Sequence, residues 1–84
     1  GAMKVRPNMP VRITGYTDSG GNLHYNFKVS EFRANIIKSF LVGKGINPER
    51  IVARGLGPAN PIATNETLAG RVLNRRVEIE LVEE

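Results

Sequence analysis

The sequence contains no cysteine and only one histidine among its 84 residues. The absence of cysteine excludes a disulfide scaffold and a thiolate zinc site. With one histidine left, a transition-metal site is not expected either. No apolar run approaches the ~20 residues that a transmembrane helix requires, because Arg, Lys or Gly interrupts each candidate stretch. What remains is one small domain with a thin core.

Groups that carry out catalysis are also missing from the sequence. There is no Ser/His/Asp or Cys/His set, and no two carboxylates are placed for acid–base work. The run 55–57 (Gly-Leu-Gly) is a poor phosphate loop, since no Lys-Ser or Lys-Thr follows it and Pro58 removes an amide donor. We therefore expect a protein that is not an enzyme and that carries no metal and no cofactor.

Positive charge is in excess, and it is unevenly distributed. Twelve Lys and Arg stand against eight Asp and Glu, a net charge of +4, and residues 1–76 alone carry +8. An anionic partner such as nucleic acid is one hypothesis, and it predicts binding that weakens steeply with salt. The basic residues do not form one stripe, however, and no nucleic-acid motif is present. Nucleic acid is therefore the alternative and not the expected partner.

The hydrophobic pattern predicts alternating strands and helices. Residues 76–82 alternate most strictly, and Gly43 or Gly45 can end the first helix. We expect an α/β fold, an α+β sandwich with the helices on one face of a small mixed sheet. The predicted elements are a strand at 11–15, a loop at 16–26, a helix at 30–42 with Ser30 as N-cap, a strand at 51–54, a helix at 66–73 capped by Asn65, and a strand at 76–82.

An arginine occupies an unusual position on the first predicted helix. On a helical wheel Arg33 falls in the middle of an apolar arc, which is costly unless an anion meets the guanidinium. Asp18, the nearest preceding acid, lies in the loop that enters this helix. Both residues are expected at the carboxyl edge of the sheet, where open α/β folds bind ligands. The arc consists of Phe32, Ile36, Phe40, Ile37 and Leu41.

Two interpretations of Asp18 and Arg33 compete at this point. The first is a structural ion pair that ties the loop to the helix. The second holds the two groups slightly apart, so that Arg33 grips the carboxylate of a zwitterionic ligand and Asp18 accepts from its ammonium. The pattern alone leaves both open.

A series of short motifs resembles the OmpA-like peptidoglycan-binding domain, the C-terminal domain shared by OmpA, Pal and MotB proteins. The similarity covers roughly residues 11–80 with the spacing intact, so it is far more specific than a single glycine motif. The matching segments are Gly15-Tyr16-Thr17-Asp18-Ser19-x-Gly21, Tyr25-Asn26-x-x-Val29-Ser30-x-x-Arg33-Ala34, Gly45-Ile46, Arg50-Ile51, Gly55-x-Gly57, Pro61-Ile62, Asn65-x-Thr67, Gly70-Arg71 and Asn74-Arg75-Arg76-Val77-Glu78-Ile79.

The resemblance implies a ligand and the residues that bind it. In the family, the residues matching Asp18 and Arg33 bind the diaminopimelate side chain of the peptidoglycan stem peptide. Asn26 matches an asparagine that lines the pocket, Thr17 matches the neighbour of the aspartate, and Arg75 opens an element near the site. The cluster formed by Arg71, Arg75 and Arg76 has a plainer interpretation, which is surface pairing with the terminal glutamates.

The resemblance also implies a setting. It predicts a non-catalytic module in the periplasm that anchors an outer-membrane protein, a lipoprotein or a motor protein to the cell wall. Residues 1–3 are expected to be the remnant of an expression tag, and residues 4–84 a single domain. The resemblance further predicts that the family's first strand and helix are absent here, either because the chain is a fragment or because the domain is naturally shortened. In both cases an exposed sheet edge is expected, which could pair with a second copy to form a homodimer. A ligand-free self-association fragment is the second alternative.

Overall fold

The computed structural model describes residues 9–82, so the predicted tag remnant at 1–3 lies outside the described residues. The element order confirms the predicted β-α-β-α-β succession and the α+β class. Among the described residues, no helix is both long and apolar enough to cross a membrane. The elements are β1 (Val11–Gly15), α1 (Leu23–Gly43), a 3-10 turn (Pro48–Arg50), β2 (Ile51–Gly55), α2 (Leu68–Asn74) and β3 (Val77–Leu81).

The three strands form one mixed sheet in the order β2-β1-β3. β1 pairs in parallel with β2, with Ile13 opposite Ala53, and antiparallel with β3, with Gly15 opposite Val77. The carboxyl ends of β1 and β2 therefore lie at the same edge as the beginning of β3. Loops leaving β1 and β2 and the segment entering β3 meet at this edge, which is where the sequence predicted a ligand site.

A small core lies between α1 and the sheet. Val11, Ile13, Ala34 and Ile51 are buried, and partly buried side chains surround them. Contacts between α1 and the sheet are mainly with β1 and β2. The partly buried residues packed against the core are Ile37, Leu41, Ile46, Ala53, Val77 and Leu81.

The first helix begins at Leu23, earlier than the predicted start at Ser30. Asn22, and not Ser30, is its N-cap, and its side chain accepts a hydrogen bond from the Tyr25 amide at 3.0 Å. The predicted loop at 16–26 is correspondingly shorter. The end of the helix is as expected, because Gly45 follows it with φ of 100°.

Ser30 is buried within α1, where it serves the contact between helix and sheet. Its hydroxyl donates to the Phe27 carbonyl at 2.8 Å and accepts from the Gly57 amide at 2.9 Å. A Cβ added to Gly15 or to Gly55 would collide with the backbone of α1 at Ser30 and Glu31. The glycines that end β1 and β2 thus allow the helix to lie directly on the sheet.

Only two of the five members of the predicted apolar arc of α1 pack against the core. Asn26, Ser30 and Ala34 form the buried face, and Ile37 and Leu41 are partly buried beside it. The other three members of the arc, Phe32, Ile36 and Phe40, are 50–67% exposed. Gly15 and Gly55 bring α1 so close to the sheet that only small side chains fit beneath the helix. The buried face of α1 therefore differs from the face that the helical wheel predicts.

The second helix, in contrast, begins later than predicted. It runs over Leu68–Asn74 with Thr67 as N-cap, and the Thr67 hydroxyl accepts from the Gly70 amide at 3.0 Å. Asn65, the predicted cap, instead accepts from the Ser19 amide and from the Asn74 side chain. Its side chain therefore links the loop after β1 to α2.

Candidate functional site

A cavity of about 390 Å³ opens where the loop after β1 meets α1 and the end of α2. All five residues predicted for the site line it, together with four others. The predicted residues are Thr17, Asp18, Asn26, Arg33 and Arg75. The additional lining residues are Gly20, Tyr25, Val29 and Arg71. The sequence-based convergence of Asp18 and Arg33 thus agrees with the geometry.

The loop after β1 is built around the Asp18 side chain. One carboxylate oxygen accepts from the Gly20 amide at 2.7 Å, which closes a tight turn. The Asn26 side chain donates to the Gly20 carbonyl at 2.8 Å, so α1 holds the far side of the same turn. Thr17 donates its hydroxyl to the Asp18 carbonyl at 2.8 Å. These bonds present the carboxylate to the cavity from a fixed position.

Asp18 is ion-paired, but not with Arg33. Its second carboxylate oxygen accepts from Nε of Arg75 at 2.5 Å. Of the two interpretations of Asp18 and Arg33, the structural ion pair is therefore wrong, and Arg75 is the partner of Asp18, because β3 begins beside the end of β1. A carboxylate has about four acceptor positions, so an added ammonium remains compatible with both of these bonds.

Arg33 is exposed, and within residues 9–82 its guanidinium makes no hydrogen bond or ion pair. It lies in the middle of α1 and not in the first turn, since the helix begins at Leu23. The positive end of the helix dipole, which acts within the first turn, therefore does not reach Arg33. Its free guanidinium at the cavity can grip a carboxylate with two parallel hydrogen bonds.

Arg71 was not predicted as a site residue. Its Nη1 donates to the Asn65 carbonyl at 3.0 Å, while the side chain lines the cavity. The available signal was its separation of four residues from Arg75, which directly follows α2. The predicted surface pairing of the arginine cluster with the terminal glutamates is found for Arg76 alone in the described chain, with Glu78 at 2.7 Å.

The pKa of Asp18 is lowered from its ordinary value of 3.8. The hydrogen bond from Arg75 is the largest cause, the Gly20 amide is the second, and burial acts weakly in the opposite direction. Because the folded pKa lies below the unfolded one, the ionised carboxylate stabilises the fold at pH values above 3.8. That contribution is lost as the pH falls through the folded pKa.

Asp18→Asn should therefore make the domain less stable than the unmodified chain, and this difference in stability should shrink as the pH falls. At pH 7 the variant is expected to unfold at a lower urea concentration, and by pH 3 the two midpoints should approach each other. Urea titrations between pH 7 and 3 measure this, with the exposed Glu31→Gln as the control. A midpoint difference that stays constant over this range would contradict the proposed ion pair.

Comparison with known proteins places the chain in a family. Residues 1–75 match the family model described as OmpA family, and the chain belongs to that family. Outer membrane protein A of Bordetella avium is 57% identical over 68 residues, which are 81% of this chain and 35% of that protein. The peptidoglycan-binding protein ArfA of Mycobacterium tuberculosis is 46% identical over 77 residues, 92% of this chain and 24% of that protein.

A solved structure agrees with the fold. The peptidoglycan-associated lipoprotein from Burkholderia pseudomallei superposes with a TM-score of 0.82 at 29% identity, covering 87% of this chain and 62% of that one. The predicted resemblance to the OmpA-like domain is thereby confirmed. The chain spans about a third or less of the two curated relatives named above.

Proposed function

We propose that this domain is a non-catalytic peptidoglycan-binding module that recognises the diaminopimelate of the stem peptide. The observation that carries the proposal is the cavity that holds a fixed carboxylate, Asp18, and an unpaired guanidinium, Arg33. The end of a diaminopimelate side chain bears one ammonium and one carboxylate. Asp18 accepts from the ammonium, and Arg33 binds the carboxylate as a fork.

The other predicted residues position these two groups. Asn26 and Thr17 hold the turn that presents Asp18, and Arg75 orients its carboxylate. The names of two relatives support peptidoglycan as the partner, because ArfA is named a peptidoglycan-binding protein and the Burkholderia lipoprotein is named peptidoglycan-associated. The domain then acts in the periplasm and tethers a membrane-associated parent protein to the cell wall.

Binding can be tested by NMR titration with two stem tripeptides, one ending in diaminopimelate and one in lysine. Lysine keeps the ammonium but lacks the side-chain carboxylate. We expect the diaminopimelate peptide to shift resonances of Asp18 and Arg33 and to bind about tenfold or more tightly than the lysine peptide. Arg33→Gln should remove this preference, because glutamine lacks the charged guanidinium that binds the carboxylate with two parallel hydrogen bonds.

The control variant for this titration is Lys28→Gln. Lys28 is exposed on α1 and does not line the cavity, so the same loss of charge there should leave binding unchanged. The absence of shifts at millimolar diaminopimelate peptide would overturn the proposed function. Equal affinity for the two peptides would overturn the assignment of Arg33.

A further inference from the structure

The cavity carries more positive charge than one zwitterion can balance. Three guanidiniums line it, those of Arg33, Arg71 and Arg75, whereas Asp18 is the one carboxylate among its lining residues. The Asp18–Arg75 ion pair cancels one charge of each sign. Two positive charges are left at the cavity wall, and a diaminopimelate side chain, with no net charge, supplies only one carboxylate for them.

Arg71 is held in place without being neutralised. Its described hydrogen bond goes from Nη1 to the carbonyl of Asn65, which is uncharged. Asn65 is itself fixed, since its side chain accepts from Asn74 at 2.9 Å and from the Ser19 amide at 3.3 Å. The side chain of Arg71 thus keeps its charge and its remaining donors, and ordering it for a ligand costs less than for a free arginine.

Arg71 and Arg33 approach the cavity from different helices, with Asp18 also on its wall. Two guanidiniums on different helices can each bind a carboxylate, whereas a single guanidinium would bind only one. Arg33 comes from α1 and Arg71 from α2, and both line the cavity together with Asp18 and Arg75. The cavity thus receives cationic side chains from two helices, and a cavity of about 390 Å³ is within the usual range for small ligands.

We propose that the site selects a ligand with two carboxylates and one ammonium, and that Arg71 binds the second carboxylate. Within the proposed function, on which this inference rests, that ligand is diaminopimelate as the last residue of the stem peptide. There its side-chain carboxylate meets Arg33, its ammonium meets Asp18, and its free main-chain carboxylate meets Arg71. A peptide bond or an amide at the main-chain carboxyl removes the charge that Arg71 binds.

The test compares two tripeptides that differ only at the end, the free acid and the C-terminal amide of the diaminopimelate peptide. We expect the unmodified domain to bind the free acid about five- to tenfold more tightly than the amide in an NMR or calorimetric titration. Arg71→Gln should bring the ratio of the two affinities close to one while the amide still binds. Lys28→Gln, which removes an equal charge outside the cavity, should keep the ratio of the unmodified domain.

The outcomes separate this inference from the proposed function. Equal affinities for acid and amide in the unmodified domain would overturn the inference and leave diaminopimelate binding intact. A preference that persists in Arg71→Gln would overturn the assignment of Arg71. Failure of both peptides to bind would overturn the proposed function as well. The ratio in the unmodified domain decides the matter even if Arg71→Gln does not fold.

Discussion

Gly15→Ala is expected to destabilise the domain by about 3 kcal/mol or more, a large part of the roughly 4–12 kcal/mol typical for a chain of this size. The added Cβ would collide with the backbone carbonyl of Ser30. A backbone atom cannot move aside by changing rotamer, so relief requires α1 to lift from β1. Because that contact also sets the distance between the Asp18 turn and Arg33, ligand binding should be lost together with stability.

Urea denaturation at neutral pH measures the effect of Gly15→Ala, with Gly43→Ala as the matched control. Gly43 is the last residue of α1, and a Cβ there meets no atom within 4 Å. The control should be neutral or stabilising by up to about 1 kcal/mol, because alanine favours the helix. An unchanged unfolding midpoint for Gly15→Ala would show that the helix does not lie as close to the strand as described.

Asn74→Ala should give the second large decrease in the free energy of unfolding, about 3 kcal/mol. Asn74 is fully buried, and its amide makes four hydrogen bonds. Its oxygen accepts from the amides of Ile62 and Ala63, and its nitrogen donates to the Ala63 carbonyl and to Asn65. Alanine leaves all of these groups without that partner, so Ile62 and Ala63 lose their hydrogen bonds to α2 and the Arg71 bond to the Asn65 carbonyl remains.

The control for Asn74→Ala is Asn35→Ala. Asn35 is exposed on α1 and donates one hydrogen bond, to the Glu31 carbonyl at 2.9 Å. Its replacement should change the free energy of unfolding by less than about 0.5 kcal/mol. Asn74→Asp provides a second variant of nearly the same shape, in which an oxygen replaces the donor and faces two acceptors. If Asn74→Ala and Asn35→Ala had similar midpoints, the network would not be stabilising.

How far the sequence predicts this fold depends on the type of element. β1 and β3 follow from alternation, and the order of elements follows from turn residues. The start of α1 could not be predicted, because Ser30 has the chemistry of an N-cap but is used in a tertiary contact with Gly57. The buried face of α1 was missed for the same reason, since the glycines at the strand ends favour Ser30 and Ala34 over larger side chains.

The candidate site was predictable in part. Asp18 and Arg33 are close in sequence, so their convergence at one sheet edge follows from a strand, a loop and a helix. The pairing of Asp18 with Arg75 depends on β3 returning antiparallel beside β1, which local pattern does not specify. The family resemblance placed Arg75 near the site without its partner. From the sequence, Arg71 has only a pairing role at the surface, because its spacing of four residues from Arg75 does not by itself show that α2 faces the cavity.

The Asp18–Arg75 ion pair joins two residues that are 57 positions apart in the chain. A ligand held by Asp18 and by Arg71 of α2 would therefore act as a noncovalent cross-link that closes a long loop. Such a link favours the folded chain, since it binds a site that the unfolded chain does not form. Resistance to mechanical pulling would then rise with occupancy, which suits the proposed task of holding a protein to the cell wall.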